Sequence, residues 1–346
     1  MISNRLRPAV LAGVAFTLAA AALAGCASGS APAAGSAATP KPGAAQGYTT
    51  PRTMPAGKGS GAADGVFPRT VAHFQGETTL PSEPKKVVVI STGQADALLS
   101  LGIVPAGSTA GDGAAMIPPY LYAAFPGQKQ ALDGVKYVGN RFAPDLESIA
   151  NIKPDLIVMN NAGKDAKALY TGLSALAPTI ATQGTGLYWK QDFLLLADAV
   201  GKADQAQKWL ADYHAEAAAI GQRVQDTPTV SFLRRNAGRT RIFGIASFSG
   251  SVAEDCAIAR PASQQFTDDT SKDISGEQLD QVDAGWIFYG VQGGKAAELT
   301  SLALWPTLTA VTENHAVAVD DDVFYLNVGP AAARRVLTVL EHTLAP

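Results

Sequence analysis

The sequence predicts an α/β fold: two Rossmann-like α/β lobes joined by a long rigid helix, with a ligand cleft between the lobes. Three observations carry this. Continuous β-branched runs such as Val87–Ile90 alternate with helical patterns, as strands covered on both faces by helices require. A stretch without proline from Ala203 to Val224 carries apolar residues at three- and four-residue spacing. The segment DLESIANIKPDLIV, which starts at 145, returns without gaps as SGEQLDQVDAGWIF, which starts at 275. A repeat at so long a period means two related lobes rather than a solenoid.

The N-terminus sets the compartment. Arg5 and Arg7 precede an apolar run from Ala9 to Ala22, which ends in Leu23-Ala24-Gly25-Cys26. This is the layout of a secretory signal with a small-residue cleavage site, and the run is too short for an ordinary span. The Leu-Ala-Gly-Cys end resembles the lipobox of bacterial lipoproteins, which implies a signal peptide over 1–25 and lipidation of Cys26. Several acyl chains anchor stably, at about 0.8 kcal/mol per buried CH₂. Residues 26–67 are mostly Ala, Gly, Ser, Pro and Thr without a helix or strand period, so a flexible low-complexity tether is expected.

The body follows in three parts: an N-terminal lobe over 68–190, a helical connector over 191–226 and a C-terminal lobe over 227–346. PKKVVVISTGQADALLSLGIVPAG reads as strand, polar turn at Ser91-Thr92-Gly93, then helix. In APDLESIANIKPDLIVMN, Pro144 suits a first helical turn, Leu146, Ile149 and Ile152 form its inner face, and LIVM is a buried strand. In the connector, Ala206, Trp209, Leu210, Tyr213, Ala217, Ile220 and Val224 form one stripe. Roughly 30 Å of helix would result, a strut between lobes. VSFLRR and RIFGIA read as strands, Ser249–Cys256 and the closing AAARRVLTVLEHTLA as helices. Glu147 and Glu277 occupy matching positions in the two internal copies, each in a first helical turn, where a carboxylate favours the helix dipole; Ser275 and Gln278 resemble a capping box.

Composition narrows the function. The formal charge is −3 with no basic run, which excludes nucleic acid as the expected partner. Beyond Cys26 the only cysteine is Cys256, on the apolar side of a short helix with no nearby histidine, so a buried inert thiol is expected and no internal disulfide. GxGxxG after a strand, GxxxxGK[ST], HExxH, CxxC and GxSxG are all missing, and His73, His214, His315 and His342 are scattered. No catalytic residue, protein-built metal site or cofactor is therefore expected.

What remains suits a cleft for an oxygen-rich, partly apolar ligand. Arg234 and Arg241 lie near the ends of two strand-like runs. If those strands pair, both guanidiniums converge, and arginine forks bind carboxylate, hydroxamate or catecholate oxygens directionally. The other reading is two strand-end arginines in water. Tyr188, Trp189, Phe243, Phe248, Trp286 and Tyr325 are available around them, with Trp286 and Phe288 expected in the core.

The body from 69 to 346 resembles the iron-siderophore branch of the periplasmic binding proteins with a helical connector. Four blocks carry the likeness in order: PKKVVVISTGQADALLSLGIVPAG, VGNRFAPDLESIANIKPDLIV, VSFLRRNAGRTRIFGIASFSGSVAEDCAIARP and LWPTLTAVTENHAVAVDDDVFYLNVGPAAARRVLTVLE. The resemblance implies an extracytoplasmic, membrane-anchored, monomeric binding component of an ABC importer that takes a ferric siderophore to a permease dimer. It implies that Arg234 and Arg241 meet the ligand, and that Ser91, Thr92, Asn140 and Arg141 border the cleft. It implies that Glu147 and Glu277 seat in arginine-lined pockets of the permease. DCAIARP lacks the usual glycine, and Tyr325 stands where tryptophan is common. Two other readings stay open: a haem or cobalamin binder, with Tyr188 or Tyr325 as a haem ligand, and a chelatase-like enzyme on the same frame.

Overall fold

A computed structural model describes residues 48–345 apart from 112 and 227. A hairpin of β1 (Arg69–His73) and β2 (Gly76–Leu80) precedes the first lobe. That lobe is built on β3 (Val87–Val89), β4 (Gly107–Ala110), β5 (Lys136–Asn140), β6 (Ala143–Pro144), β7 (Leu156–Asn160) and β8 (Thr179–Thr182). Their spatial order is β6-β5-β4-β3-β7-β8, parallel except for the β5–β6 pair. The fully buried Val87, Val88 and Val89 occupy the centre, where helices cover both faces: α1 (Gln94–Ser100), α2 (Pro119–Ala124), α3 (Lys129–Asp133), α4 (Leu146–Ile152) and α5 (Ala166–Ser174) surround the sheet.

The connector is a helical hairpin of α6 (Trp189–Ala199) and α7 (Ala203–Arg223). In α7 the expected stripe is buried at Ala206, Leu210, Tyr213, Ala217 and Ile220, while Lys208 and Asp212 pair in solvent. The second lobe uses β9 (Val230–Asn236), β10 (Arg239–Phe243), α8 (Phe248–Asp255), β11 (Ser271–Ile274), β12 (Trp286–Val291), α9 (Ala297–Thr300), α10 (Thr309–Thr312), β13 (Ala316–Ala318) and α11 (Pro330–Leu344). Its sheet runs β11-β10-β9-β12-β13, parallel at β9-β12-β13 and antiparallel at the β9–β10 hairpin and beyond. α11 returns across the molecule to pack on α1, α2 and α6 as well as α7 and α8. One apolar cluster therefore runs through both lobes and the connector, from Val87 and Leu98 through Trp189 and Tyr213 to Phe232 and Val336.

Three local expectations are corrected. Pro144 pairs with Gly139 in β6 and lies outside the helix; Asp145 is the N-cap, its carboxylate accepting the N–H groups of Glu147 and Ser148 at 3.1 and 3.2 Å, which starts α4 at Leu146. The turn at Gly276–Val282 is 3₁₀ rather than α, though the Ser275–Gln278 capping box is formed. The tether does not reach residue 67. Residues 48–66 form a strap bonded along the body: Thr50 and Arg52 hold Glu254 at 2.7 and 3.1 Å, Lys58 donates to the His73 carbonyl at 3.0 Å, and Ser60 holds Asp198 at 2.7 and 2.8 Å. Periodicity missed it because polar bonds and turns, not an apolar face, hold it down. Residues 1–47, Cys26 among them, lie outside the described residues.

Candidate ligand-binding cleft

The cleft opens at the carboxyl ends of the parallel strands. In the first sheet the connections depart in opposite directions from β3 and β7, and such a switch point parts the backbone into a crevice. Ser91 follows β3 and Asn160 ends β7. Ser91 Oγ accepts the Asn160 N–H at 3.0 Å, and the Ser91 N–H donates to Gln94 Oε1 at 3.0 Å, so the turn is fixed from both sides. Gly93 begins α1 at φ 83° with the Val328 backbone so near that a Cβ would come within 3.1 Å of it. Only glycine suits that backbone and that approach of the lobes. Beside it, buried Asp96 of α1 accepts the Ala331 and Ala332 N–H groups at the start of α11 at 2.7 and 2.9 Å, and the Tyr120 hydroxyl at 2.8 Å.

The walls enclose about 290 Å³ between the lobes, with Ser91, Thr92 and Arg141 on one side, Arg234 and Tyr325 on the other, and Trp189 with Phe193 of α6 between them. A second hollow of about 400 Å³ continues past Arg141 and Asn160 to Phe142 and Leu169. Trp189 is held rigidly: its indole N–H donates to Ser251 Oγ at 3.0 Å, and its ring meets Tyr213 and Phe248 edge-on at 5.3 and 5.8 Å.

Arg234 is not a strand-end arginine in water. It is 6 % exposed, and its Nε and a terminal nitrogen bond both oxygens of Asp321 at 2.7 and 2.6 Å. Its guanidinium carbon lies 5.9 Å from the Tyr325 ring centre. Arg241 is the direct cross-strand partner of Arg234, so the two project from the same face of the hairpin. Its Nε lies 3.2 Å from Asp273, which Arg239 also holds. The Asp273 carboxyl is kept below the usual carboxylate range by its hydrogen bond to Arg239 first.

Of the other expected residues, Ser91, Thr92, Arg141, Trp189 and Tyr325 line the cavity, while Asn140, Tyr188, Phe248 and Arg241 do not. Asn140 accepts the Phe142 N–H at 2.9 Å and shapes the turn that presents Arg141. Phe248, 3 % exposed, faces inward onto Trp189 because its helix starts at the Ser247 N-cap and buries its first turn. Trp286 stacks on His315 at 4.1 Å and Phe288 is fully buried, so neither reaches the cleft. Tyr325 donates its hydroxyl to the Phe288 carbonyl at 2.8 Å, and burial raises its pKa, so it is committed to the wall rather than free to ligate iron. Cys256 is 1 % exposed with its thiol pushed up by burial.

Sequence reasoning missed two acids. Asp321, in the run Asp320-Asp321-Asp322, orients Arg234; burial and then the neighbouring Asp320 and Asp321 push the Asp322 carboxyl up to about 6. The acid triplet in front of an aromatic pair was the available signal. Asp192 of α6 lines the cleft and left no signal, because one acid in a first helical turn reads as a dipole partner. Among the described residues no group of histidines, cysteines and acids is arranged to hold a metal ion.

A two-lobed α/β body with a helical connector and a polar-rimmed interlobe cleft has the form of a ligand-binding protein. The sequence profile of the periplasmic binding protein family matches residues 87–323, and the chain belongs to that family. It is 33% identical over 296 residues to the "Probable siderophore-binding lipoprotein YfiY" of Bacillus subtilis (strain 168), covering 79% of this chain and 86% of the relative. It is 26% identical to the "Fe(3+)-citrate-binding protein YfmC" of the same organism, over 77% of this chain and 82% of that one. Among solved structures, Staphylococcus aureus SirA complexed with staphyloferrin B superposes with a TM-score of 0.69 at 26% identity, covering 80% of this chain and 98% of SirA.

Proposed function

We propose that this protein is the extracytoplasmic substrate-binding component of an ABC importer, capturing a ferric siderophore and delivering it to the permease. The observation that carries this is the interlobe cleft, where Arg234, oriented by Asp321, and Arg141 stand beside the rigid Trp189. Oriented guanidiniums suit the anionic oxygens that surround a chelated ferric ion, and the aromatic wall suits the ligand's apolar arms. The iron belongs to the ligand, so the protein needs no metal ligands of its own. The relatives' names point to the same class of cargo. Quenching of tryptophan fluorescence by ferric hydroxamates, catecholates, carboxylates and haem tests it, with Trp189 as reporter. Saturable quenching by at least one ferric chelate is expected; a response to haem alone, with a Soret band, would overturn the reading.

Two further assignments belong to it. Cys26 carries the lipid anchor, and Cys26→Ser should release the protein from the membrane fraction. Glu147 and Glu277, both exposed, dock on the two permease subunits. Phe142 and Leu146, which precede Glu147 in the sequence, are exposed too, so this stretch offers apolar as well as acidic contacts.

A further inference from the structure

Among the described residues, Asp192 is the one acid lining the cleft of about 290 Å³. Its two oxygens accept the N–H groups of Gln183 and Gly184 at 2.7 and 2.8 Å, which fixes the carboxylate against the loop that follows β8. Each oxygen keeps a lone pair beyond those bonds. No arginine, lysine or histidine among the described residues lies within ion-pair distance of it, although Asp255, Asp198 and Asp321 all have such partners. Among the described residues, the charged groups that share its cavity are Arg141 and Arg234, and Arg234 turns its Nε and one terminal nitrogen to Asp321. The same wall carries the apolar Trp189, Phe193 and Leu196 of its own helix and the small Gly184, Thr185 and Gly186. A carboxylate held rigidly at the edge of a binding cavity, without a cation, has an electrostatic vacancy that the ligand can fill.

We propose that Asp192 is a specificity-determining residue of the cleft, one that accepts a hydrogen bond from a protonated amine on the periphery of the bound ferric chelate. This rests on the ferric-chelate reading above and names the ligand feature that the reading leaves open. Burial, opposed by the two backbone bonds, raises the Asp192 carboxyl to about 7, so near neutrality the empty cleft holds it partly protonated. An ammonium group beside it favours the ionised form and expels that proton. Binding of an amine-bearing chelate should therefore strengthen as pH rises from about 6 to about 8. A chelate without the amine only desolvates the acid further, so its affinity should stay level or fall over the same interval.

The test compares ferrioxamine B, whose linear chain ends in an ammonium group, with its N-acetylated form, using the full mature chain. Wild type should bind the amine form about tenfold more tightly at pH 8, the size of one charge-assisted hydrogen bond. Asp192→Asn should abolish that preference. Calorimetry of the wild type in buffers of different ionisation enthalpy adds a reading independent of any variant: proton release with the amine form and none with the acetylated form. Equal affinities in wild type, a preference that survives in Asp192→Asn, or proton uptake with the amine form would overturn the proposal. If both chelates bind equally well, the ferric-chelate reading stands and only the role of Asp192 fails. If no ferric chelate of any class binds, both fall.

Discussion

Arg234 combines two demands that pull against each other. It lines the cleft, yet it is nearly buried and ion-paired, with 7 % of its side chain and 12 % of that of Asp321 exposed. Removing one partner of such a pair strands the other charge, which is costlier than losing an exposed contact. Arg234→Ala should therefore destabilise the protein by about 3 kcal/mol as well as weaken ferric-chelate binding. Arg241→Ala, more exposed and opposite a shared acid, should change stability by less than about 1 kcal/mol. Urea denaturation of both variants checks the difference. Replacing Arg234 and Asp321 together with apolar residues should recover the stability and not the binding. Equal stability losses for Arg234→Ala and Arg241→Ala would show that the Asp321 pair is not the buried contact described. The sequence placed both arginines on neighbouring strands, but it could not separate them: burial and the identity of each carboxylate partner are set by residues 87 and 32 positions away.

At the scale of elements, the junction of α1 with α11 holds the lobes together through a buried acid. Burial raises the Asp96 carboxyl to about 6, against the pull of its bonds to the α11 N-terminus. A folded-state pKa above the unfolded value gives a contribution that is complete below about pH 4 and is lost as pH rises through about 6. Wild type should thus gain about 1.4 kcal/mol relative to Asp96→Asn between pH 8 and pH 5, measured by denaturation at each pH. A difference independent of pH would place the ionisation of Asp96 outside that window. The strap makes a second expectation. Glu254 anchors Thr50 and Arg52, and both bonds lie partly exposed. Glu254→Ala should speed hydrogen exchange over residues 48–56 while lowering global stability by no more than about 1 kcal/mol. Unchanged exchange there would mean that the strap is held elsewhere along its length. Neither junction was legible beforehand, since each joins residues far apart in the chain through single polar contacts rather than a repeating pattern.

Across the whole molecule, lobes and connector share one core, and polar bonds reinforce it. Buried Lys190 at the start of α6 bonds Asp255 at the end of α8, which also accepts the Tyr213 hydroxyl of α7 at 2.9 Å. On this frame each lobe carries one of the two exposed acids proposed to dock, Glu147 and Glu277. Glu147→Lys with Glu277→Lys should therefore abolish uptake and stimulation of the importer's ATPase while leaving chelate affinity within about twofold of wild type, because charge reversal puts like charges face to face. Binding and transport measured on the same variants check this, and normal uptake by the double variant would leave the two acids with only their helix-dipole role.

The amino-acid sequence by itself determined the α/β class, the long α7, the capping box at Ser275 and the internal echo of α4 with the 3₁₀ turn at Gly276. Each is written in local order, as β-branched runs, three- and four-residue spacing or a capping pair, and local order survives without a partner. The tertiary structure decided which side chains line the cleft. Trp189 and Phe248 are near neighbours in the same aromatic cluster, yet one lines the cleft and the other lies behind it. Asp192 and Asp198 stand on one helix, yet Asp198 meets Arg69 and Asp192 meets no cation among the described residues. Such differences arise from where distant segments come to rest, because burial and charge pairing depend on three-dimensional neighbours that spacing along the chain does not encode.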